Sequence, residues 1–194
     1  MLTEILILIL KAVSGILSTL LLVRFFMQWQ RISFANPGGR FVITLTDWLV
    51  KPFRRIIPGW FGLDFASLIP AWLLHVLVIL AGCFLAPMAL NPNLAAFLFS
   101  LSALGVLELL VAAGWLIFIV VLIAVLASWF APHSNAPAIY ICRTVAGIIL
   151  RPFRRWIPPF GGLDLSPLVL LLLLQILHVV VQQLMLTLTP LLVA

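Results

Sequence analysis

Charge is what this chain has least of. Of its 194 residues, 8% are Asp, Glu, Lys or Arg, against roughly a quarter in a soluble domain. With 65% of residues hydrophobic and a mean hydropathy of +1.31, so few charges cannot keep a surface in water, and a soluble globular fold is excluded. Cysteine is nearly absent as well. Cys83 and Cys142 supply no disulfide framework and are expected to be inert thiols near opposite membrane faces. There is no hydrolase signature, no phosphate-binding loop and no cluster with metal-ligand spacing, so no catalysis, metal or cofactor is expected. The opening MLTEILILILKAV lacks a basic stretch ahead of its apolar run and lacks a small-x-small cleavage site before Val23. It reads as a retained span rather than a secretory signal.

What the chain has instead is long apolar runs. A span needs about 20 mostly apolar residues, and residues 2–23, 65–89 and 165–189 each supply one. The stretch 94–130 is too long for one span and could be cut into two. Charge decides the matter. All Lys and Arg except Lys11 fall between Arg24 and Arg55 or between Arg143 and Arg155. The positive-inside rule places both clusters in the cytoplasm, which requires an even number of spans between them. The third span is therefore expected at about 105–130, with 94–104 as an outer interfacial lead-in after the turn Asn91-Pro92-Asn93. Both termini then lie outside.

The two basic clusters are copies. At an offset of 100, Pro52, Phe53, Arg54, Arg55, Ile57, Pro58, Gly62, Leu63, Asp64 and Leu68 match Pro152, Phe153, Arg154, Arg155, Ile157, Pro158, Gly162, Leu163, Asp164 and Leu168. The expected fold is an all-α membrane protein of four transmembrane helices, built as two tandem two-helix repeats of like orientation. Each repeat carries a basic cytoplasmic loop and an amphipathic interfacial helix. The first repeat is residues 1–90, the outer connector 91–104 and the second repeat 105–194.

N-P-x-x-R-F at Asn36–Phe41, T-D-x-L-x-x-P-F-R-R-x-I-P at Thr46–Pro58 and G-G-L-D-x-S-P at Gly161–Pro167 carry a resemblance to the YggT family of small bacterial and plastid membrane proteins. It covers essentially the whole chain. Asp47 is answered by Gly147, and Gly161-Gly162 reads Phe61-Gly62 in the first copy. The resemblance implies a place in the bacterial cytoplasmic (inner) membrane. Relatives are implicated in cytochrome assembly, in division or nucleoid organisation, and in tolerance of osmotic stress.

In the first loop Arg40, Thr44, Asp47 and Lys51 recur along one helical stripe, with Phe41, Leu45, Trp48 and Leu49 opposite. Pro52 should end this helix by lacking an amide hydrogen and crowding the preceding turn, and the second copy keeps the stripe less well, through Arg143, Thr144 and Arg151. The helix should lie in the headgroup plane with its cations on anionic phospholipid. Arg40, Lys51, Arg54, Arg55, Arg143, Arg151, Arg154 and Arg155 are the expected lipid- or partner-binding residues. Orientation alone needs positive charge and not this motif. Pro58 and Pro158 deny the loop a helix, and Gly62, Gly161 and Gly162 permit positive φ. Asp64 and Asp164 can cap the next span and pair with Arg54 or Arg55, and with Arg154 or Arg155.

Ionisable residues inside spans are candidate sites by default. At about 1.5 Å per residue, Lys11, His178 and Glu108 come to roughly 20–24 Å from the cytoplasmic side and His75 to about 16 Å. A Lys11–Glu108 pair could join the two halves. Haem ligation by His75 and His178 is not expected, because the repeat does not make them equivalent. The leading expectation is a non-enzymatic scaffold or assembly factor that meets lipid and a membrane-protein partner or a second copy of itself. A small ion or osmolyte transporter and a haem-handling factor for cytochrome assembly are the alternatives. Direct nucleic-acid binding is not expected, since no fold for it is visible.

Overall fold

The structure, a computed structural model, describes residues 2–57, 64–85, 89–131, 134, 136–157 and 164–192. Its regular elements are α1 (Leu2–Trp29), α2 (Pro37–Ile56), α3 (Phe65–Leu85), α4 (Leu94–Phe130), α5 (Pro137–Trp156) and α6 (Ser166–Leu188), with a last 3-10 turn at Thr189–Leu191. Of these, α1, α3, α4 and the α6 segment are long and apolar enough to cross a membrane. The chain is an all-helical membrane protein made of two tandem units. Pro58, Gly62, Pro158, Gly161 and Gly162, on which part of the loop reading depends, lie outside the described residues.

Local chemistry sets the helix ends. At the end of α1, Ile32 N–H donates to the Met27 carbonyl at 2.8 Å and Arg31 adopts φ 54, the left-handed cap usually given to glycine. α2 starts on Asn36, whose side chain accepts the Gly39 N–H at 2.6 Å, with Pro37 at the first helical position. Gly39 is required there, because a Cβ would stand 2.7 Å from the Phe34 Cα.

Two expectations need correction. Pro52 does not end its helix, since α2 runs on to Ile56, and α5 likewise runs past Pro152 to Trp156. A proline removes one backbone bond, and the turn beyond it is retained here by tertiary contacts. Phe53 and Phe153 pack into the core, and Arg54 and Arg154 are tied to the next span. Residues 94–104 are not a lead-in separate from the third span. They are the first turns of α4, capped by Asn93 accepting from the Ala95 and Ala96 amides. Gly105 does not interrupt the helix; its missing side chain admits α3, since a Cβ would lie 2.5 Å from a Val76 methyl. At about 1.5 Å per residue, α4 outreaches a hydrocarbon core of about 30 Å. Its first turns pack through Phe97, Leu101 and Leu104 against Ile79, Leu80 and Cys83.

α1 packs on α3, and α4 on α6. Across the unit boundary α4 packs on α3 and α1. α2 lies against α1 and α3, as α5 lies against α4 and α6. Each unit has its own core, Leu21, Val50, Ala66 and Ala71 in the first and Val121, Ala146, Leu150 and Leu170 in the second. Leu21 and Val50 become Val121 and Leu150 at the repeat offset, so one methylene crosses the contact and total volume is kept.

Candidate functional site: two latched basic platforms

Each short helix ends in an Arg pair, and one member of the pair is a latch. Arg54 Nη2 lies 2.6 Å from Asp64 Oδ2 and donates to Gln28 Oε1 at 3.1 Å. The Ser67 hydroxyl donates to the same carboxylate oxygen at 2.8 Å. In the second unit Arg154 Nε lies 2.8 Å from Asp164 Oδ2, and Ser166 N–H donates to Asp164 Oδ1 at 3.0 Å. The carboxylate of Asp164 thus meets an amide at the start of α6. Asp64 differs from the capping expectation, because its side chain takes the Ser67 hydroxyl while its backbone carbonyl accepts the Ser67 and Leu68 amides. The first latch is closed off, with the Asp64 side chain 3% exposed, whereas that of Asp164 is 37% exposed. Burial pushes the Asp164 carboxyl up, but Ser166 and Arg154 outweigh it and leave it below the usual carboxylate range.

The neighbouring arginines are not part of the latch. Arg55 and Arg155 are exposed, as are Arg40, Lys51 and Arg151. Among the described residues, the guanidinium groups of Arg40, Arg55, Arg151 and Arg155 make no hydrogen bond or ion pair. Beside them the helices expose Phe41, Trp48 and Ile56 in the first unit and Tyr140 and Trp156 in the second. Along α2 three faces therefore separate: Gly39, Val42, Thr46 and Val50 inward, an exposed apolar flank, and an exposed basic flank.

Arg24, counted in sequence as one more loop cation, is a buried structural group. Its Nη1 donates to Thr46 Oγ1 at 2.8 Å and to Asp47 Oδ1 at 2.8 Å, joining α1 to α2. The side chains of Arg24 and Asp47 are 6% and 25% exposed. Lys51 meets the other Asp47 oxygen at 2.9 Å. The Lys51 ammonium, against the opposing effect of burial, and then the Arg24 guanidinium hold the Asp47 carboxyl below its usual range. In the second unit all three partners are gone together, as Ala124, Ala146 and Gly147. That joint loss was the signal in the sequence that could have revealed the site. Arg143 takes a different role, donating to the Ala127 and Ala131 carbonyls at 2.9 and 2.7 Å at the end of α4.

The intramembrane residues do not assemble. Lys11 is exposed and Glu108 partly buried, and among the described residues neither forms an ion pair, so the expected Lys11–Glu108 link is absent. His178 sits edge-on to Trp115 at 5.6 Å in the cleft between α4 and α6. His75 Nε2 is buried without a hydrogen-bond partner. α3 and α6, which carry the two histidines, do not pack on each other. No group of three or more His, Cys, Asp or Glu among the described residues could hold a metal ion.

Comparison with known proteins fits this doubled geometry. The CCB3/YggT family model matches residues 3–85 and again 103–185. The chain is 35% identical over 170 residues to the uncharacterised protein YggT of Escherichia coli K12, covering 88% of this chain and 85% of that one. It is 31% identical over 173 residues to the uncharacterised protein PA0392 of Pseudomonas aeruginosa, covering 89% and 86%. Identity to an uncharacterised Vibrio alginolyticus protein of the proC 3′ region is 36% over 172 residues, covering 85% and 90%. No solved structure matches. Two family matches at the same offset as the duplicated latch leave one assignment: the chain belongs to the CCB3/YggT family.

Proposed function

We propose that this protein is a non-enzymatic scaffold or assembly factor of the bacterial cytoplasmic membrane. Its basic helices face the cytoplasm, both termini lie outside, and α2 and α5 form a platform for anionic phospholipid and a membrane-protein partner. One observation carries the reading. The same Arg–Asp latch is built twice, and beside each latch stands a second arginine with no partner among the described residues. The latch fixes the helix; the neighbour is left to contact something else.

The flanks suit that role. Phe41, Trp48, Ile56 and Trp156 would enter the headgroup and acyl boundary, where an amphipathic helix sits about 5–10 Å deep. Arg40, Lys51, Arg55, Arg151 and Arg155 would reach lipid phosphates or a partner's carboxylates at about 1 kcal/mol per cation. Arg54 and Arg154 drop out of the direct binding set because the aspartates engage them, and Arg143 because it donates to helix-end carbonyls.

The test is mild-detergent purification followed by mass spectrometry of co-purified lipids and proteins. R55Q/R151Q/R155Q should lose anionic lipid and the associated membrane protein while melting at the same temperature as the parent. R54Q and R154Q should instead lower the melting temperature. Undiminished lipid and partner recovery in the triple variant would overturn the proposal.

A further inference from the structure

One seam between the two units stays open. α1 and α5 do not pack on each other, and between them runs a groove floored by α4. Val23 and Met27 of α1 stand on one side, Ile141 and Val145 of α5 on the other, with Ile117 and Val120 of α4 beneath. All of its lining residues are apolar, so water would find no hydrogen-bond partner there and the space suits an apolar occupant.

Two cations stand beside these walls, and the repeat does not account for them. Met27, in the α1 wall, accepts the Ile32 N–H that closes the turn holding Arg31. Ile141, in the α5 wall, meets the first turn of α2: a Cβ on Gly38 would lie 3.7 Å from its Cδ1, and Arg40 follows two residues on. Arg31 and Arg40 are exposed, and among the described residues their guanidinium groups make no hydrogen bond or ion pair. The platform cations recur at the offset of 100, Arg55 as Arg155 and Lys51 as Arg151, whereas Arg31 and Arg40 become Ala131 and Tyr140. Arg31 also holds φ 54, a conformation that glycine adopts at less cost. An arginine there brings a guanidinium beside the α1 wall at a cost that the turn itself does not require.

We infer that the groove holds one acyl chain of an anionic glycerophospholipid, with its phosphate bound by Arg31 and Arg40. The inference rests on the reading that α2 and α5 lie in the cytoplasmic headgroup plane, and it gives that platform one resident lipid at a defined place. A phosphate diester has two unesterified oxygens, which a guanidinium can engage through parallel bonds. The one carboxylate of α2, Asp47, is engaged by Arg24 and Lys51, so it is not free to hold the ammonium of a zwitterionic headgroup. Both arginines belong to the first unit, while the floor and far wall belong to the second. The lipid therefore bridges the units where α1 and α5 do not pack.

Native mass spectrometry after graded detergent washing tests this, because the last lipid to leave should be one phosphatidylglycerol per chain. In R31Q/R40Q its apparent affinity should fall roughly tenfold or more. V120F, whose ring would occupy the groove, should lose it too. R55Q/R151Q/R155Q should shed looser lipid yet keep this one. Added to delipidated parent protein, phosphatidylglycerol should raise the melting temperature, and phosphatidylcholine and inorganic phosphate should not. The inference fails if the parent keeps no such lipid, or if R31Q/R40Q or V120F holds it as firmly as the parent. It fails also if the triple variant releases it as readily as R31Q/R40Q, a result that would move the lipid onto the platform and leave the proposed function standing. Inorganic phosphate that matches phosphatidylglycerol would mark a free-anion site and overturn the inference equally. Failure of the platform reading shows instead as a triple variant that keeps all of its lipid.

Discussion

Removing Asp47 should destabilise the protein more than removing Arg24, although they are partners in the same ion pair. D47A leaves a guanidinium that is 6% exposed with one hydrogen bond, to Thr46, and no counter-charge. Stranding a buried charge costs about 3–5 kcal/mol. The lower end applies here, since Asp47 is 25% exposed and water already reaches the site. R24A leaves Asp47 with Lys51 still 2.9 Å away, so the loss is the charge-assisted bonds, about 1.5–2 kcal/mol. The double variant R24A/D47A removes both charges and should resemble R24A, giving a coupling of about 3 kcal/mol, the whole cost of D47A. The second unit already holds this apolar solution as Ala124, Ala146 and Gly147. Alanine is used at 47 because glycine would add a helix penalty of about 1 kcal/mol. Unfolding by denaturing detergent, followed by far-UV circular dichroism, measures all three. Additivity within about 0.5 kcal/mol, or D47A no worse than R24A, would refute the reasoning.

Three further outcomes are expected. Asp47 and Asp164 have lowered carboxyl pKa values, so their contribution is present above the unfolded value of about 3.9 and is lost as pH falls through the folded one; melting temperature should drop below about pH 4, and D47N/D164N should flatten that drop. G39A should cost about 1–3 kcal/mol because its Cβ meets the Phe34 backbone, whereas G147A, with nothing within 4 Å, should be neutral or stabilising; equal denaturation midpoints would contradict this. L21V and V50L should each cost about 1 kcal/mol or more, while L21V/V50L, which copies Val121 and Leu150, should recover most of the loss; a double variant that costs the full sum would show that the two cores are not interchangeable.

The four long helices and the doubling were legible because each has a signal that survives without coordinates. A long apolar run has one use, and identical residues at one offset have one cause. The latch was half legible, since spacing put two arginines within reach of each aspartate and only the direction of each side chain separates Arg54 from Arg55. The prolines misled because their cost is local while the forces retaining the next turn, Phe53 in the core and Arg54 on Asp64, come from elsewhere in the chain. The start of the third span was set by charge parity alone, and parity fixes how many spans there are, not where a helix begins: Asn93 caps α4 about eleven residues earlier. Arg24 was hidden by its position near a run of loop cations, and the Lys11–Glu108 pair was suggested by depth alone. Depth does not fix the direction a side chain takes round its helix.

What the two units share and where they differ separates folding from contact. Joints that only hold the molecule together have been exchanged as sets: Arg24, Thr46 and Asp47 for Ala124, Ala146 and Gly147, and Leu21 with Val50 for Val121 with Leu150. In each set the geometry can be satisfied by a second chemistry, polar or apolar, provided all members change. Arg55 and Arg155 behave differently. They touch no internal partner among the described residues, so their identity is not imposed by packing, by the latch or by the aspartates. Positive charge for orientation could be met by lysine, or at neighbouring positions, and would not need two arginines in the same register after Pro-Phe-Arg. A planar guanidinium held at one point by a latched helix can bind a phosphate or carboxylate through two parallel bonds, which a lysine cannot. The paired outward arginines are thus where the molecule's constancy is not explained by its own interior, and where an external anion would complete it.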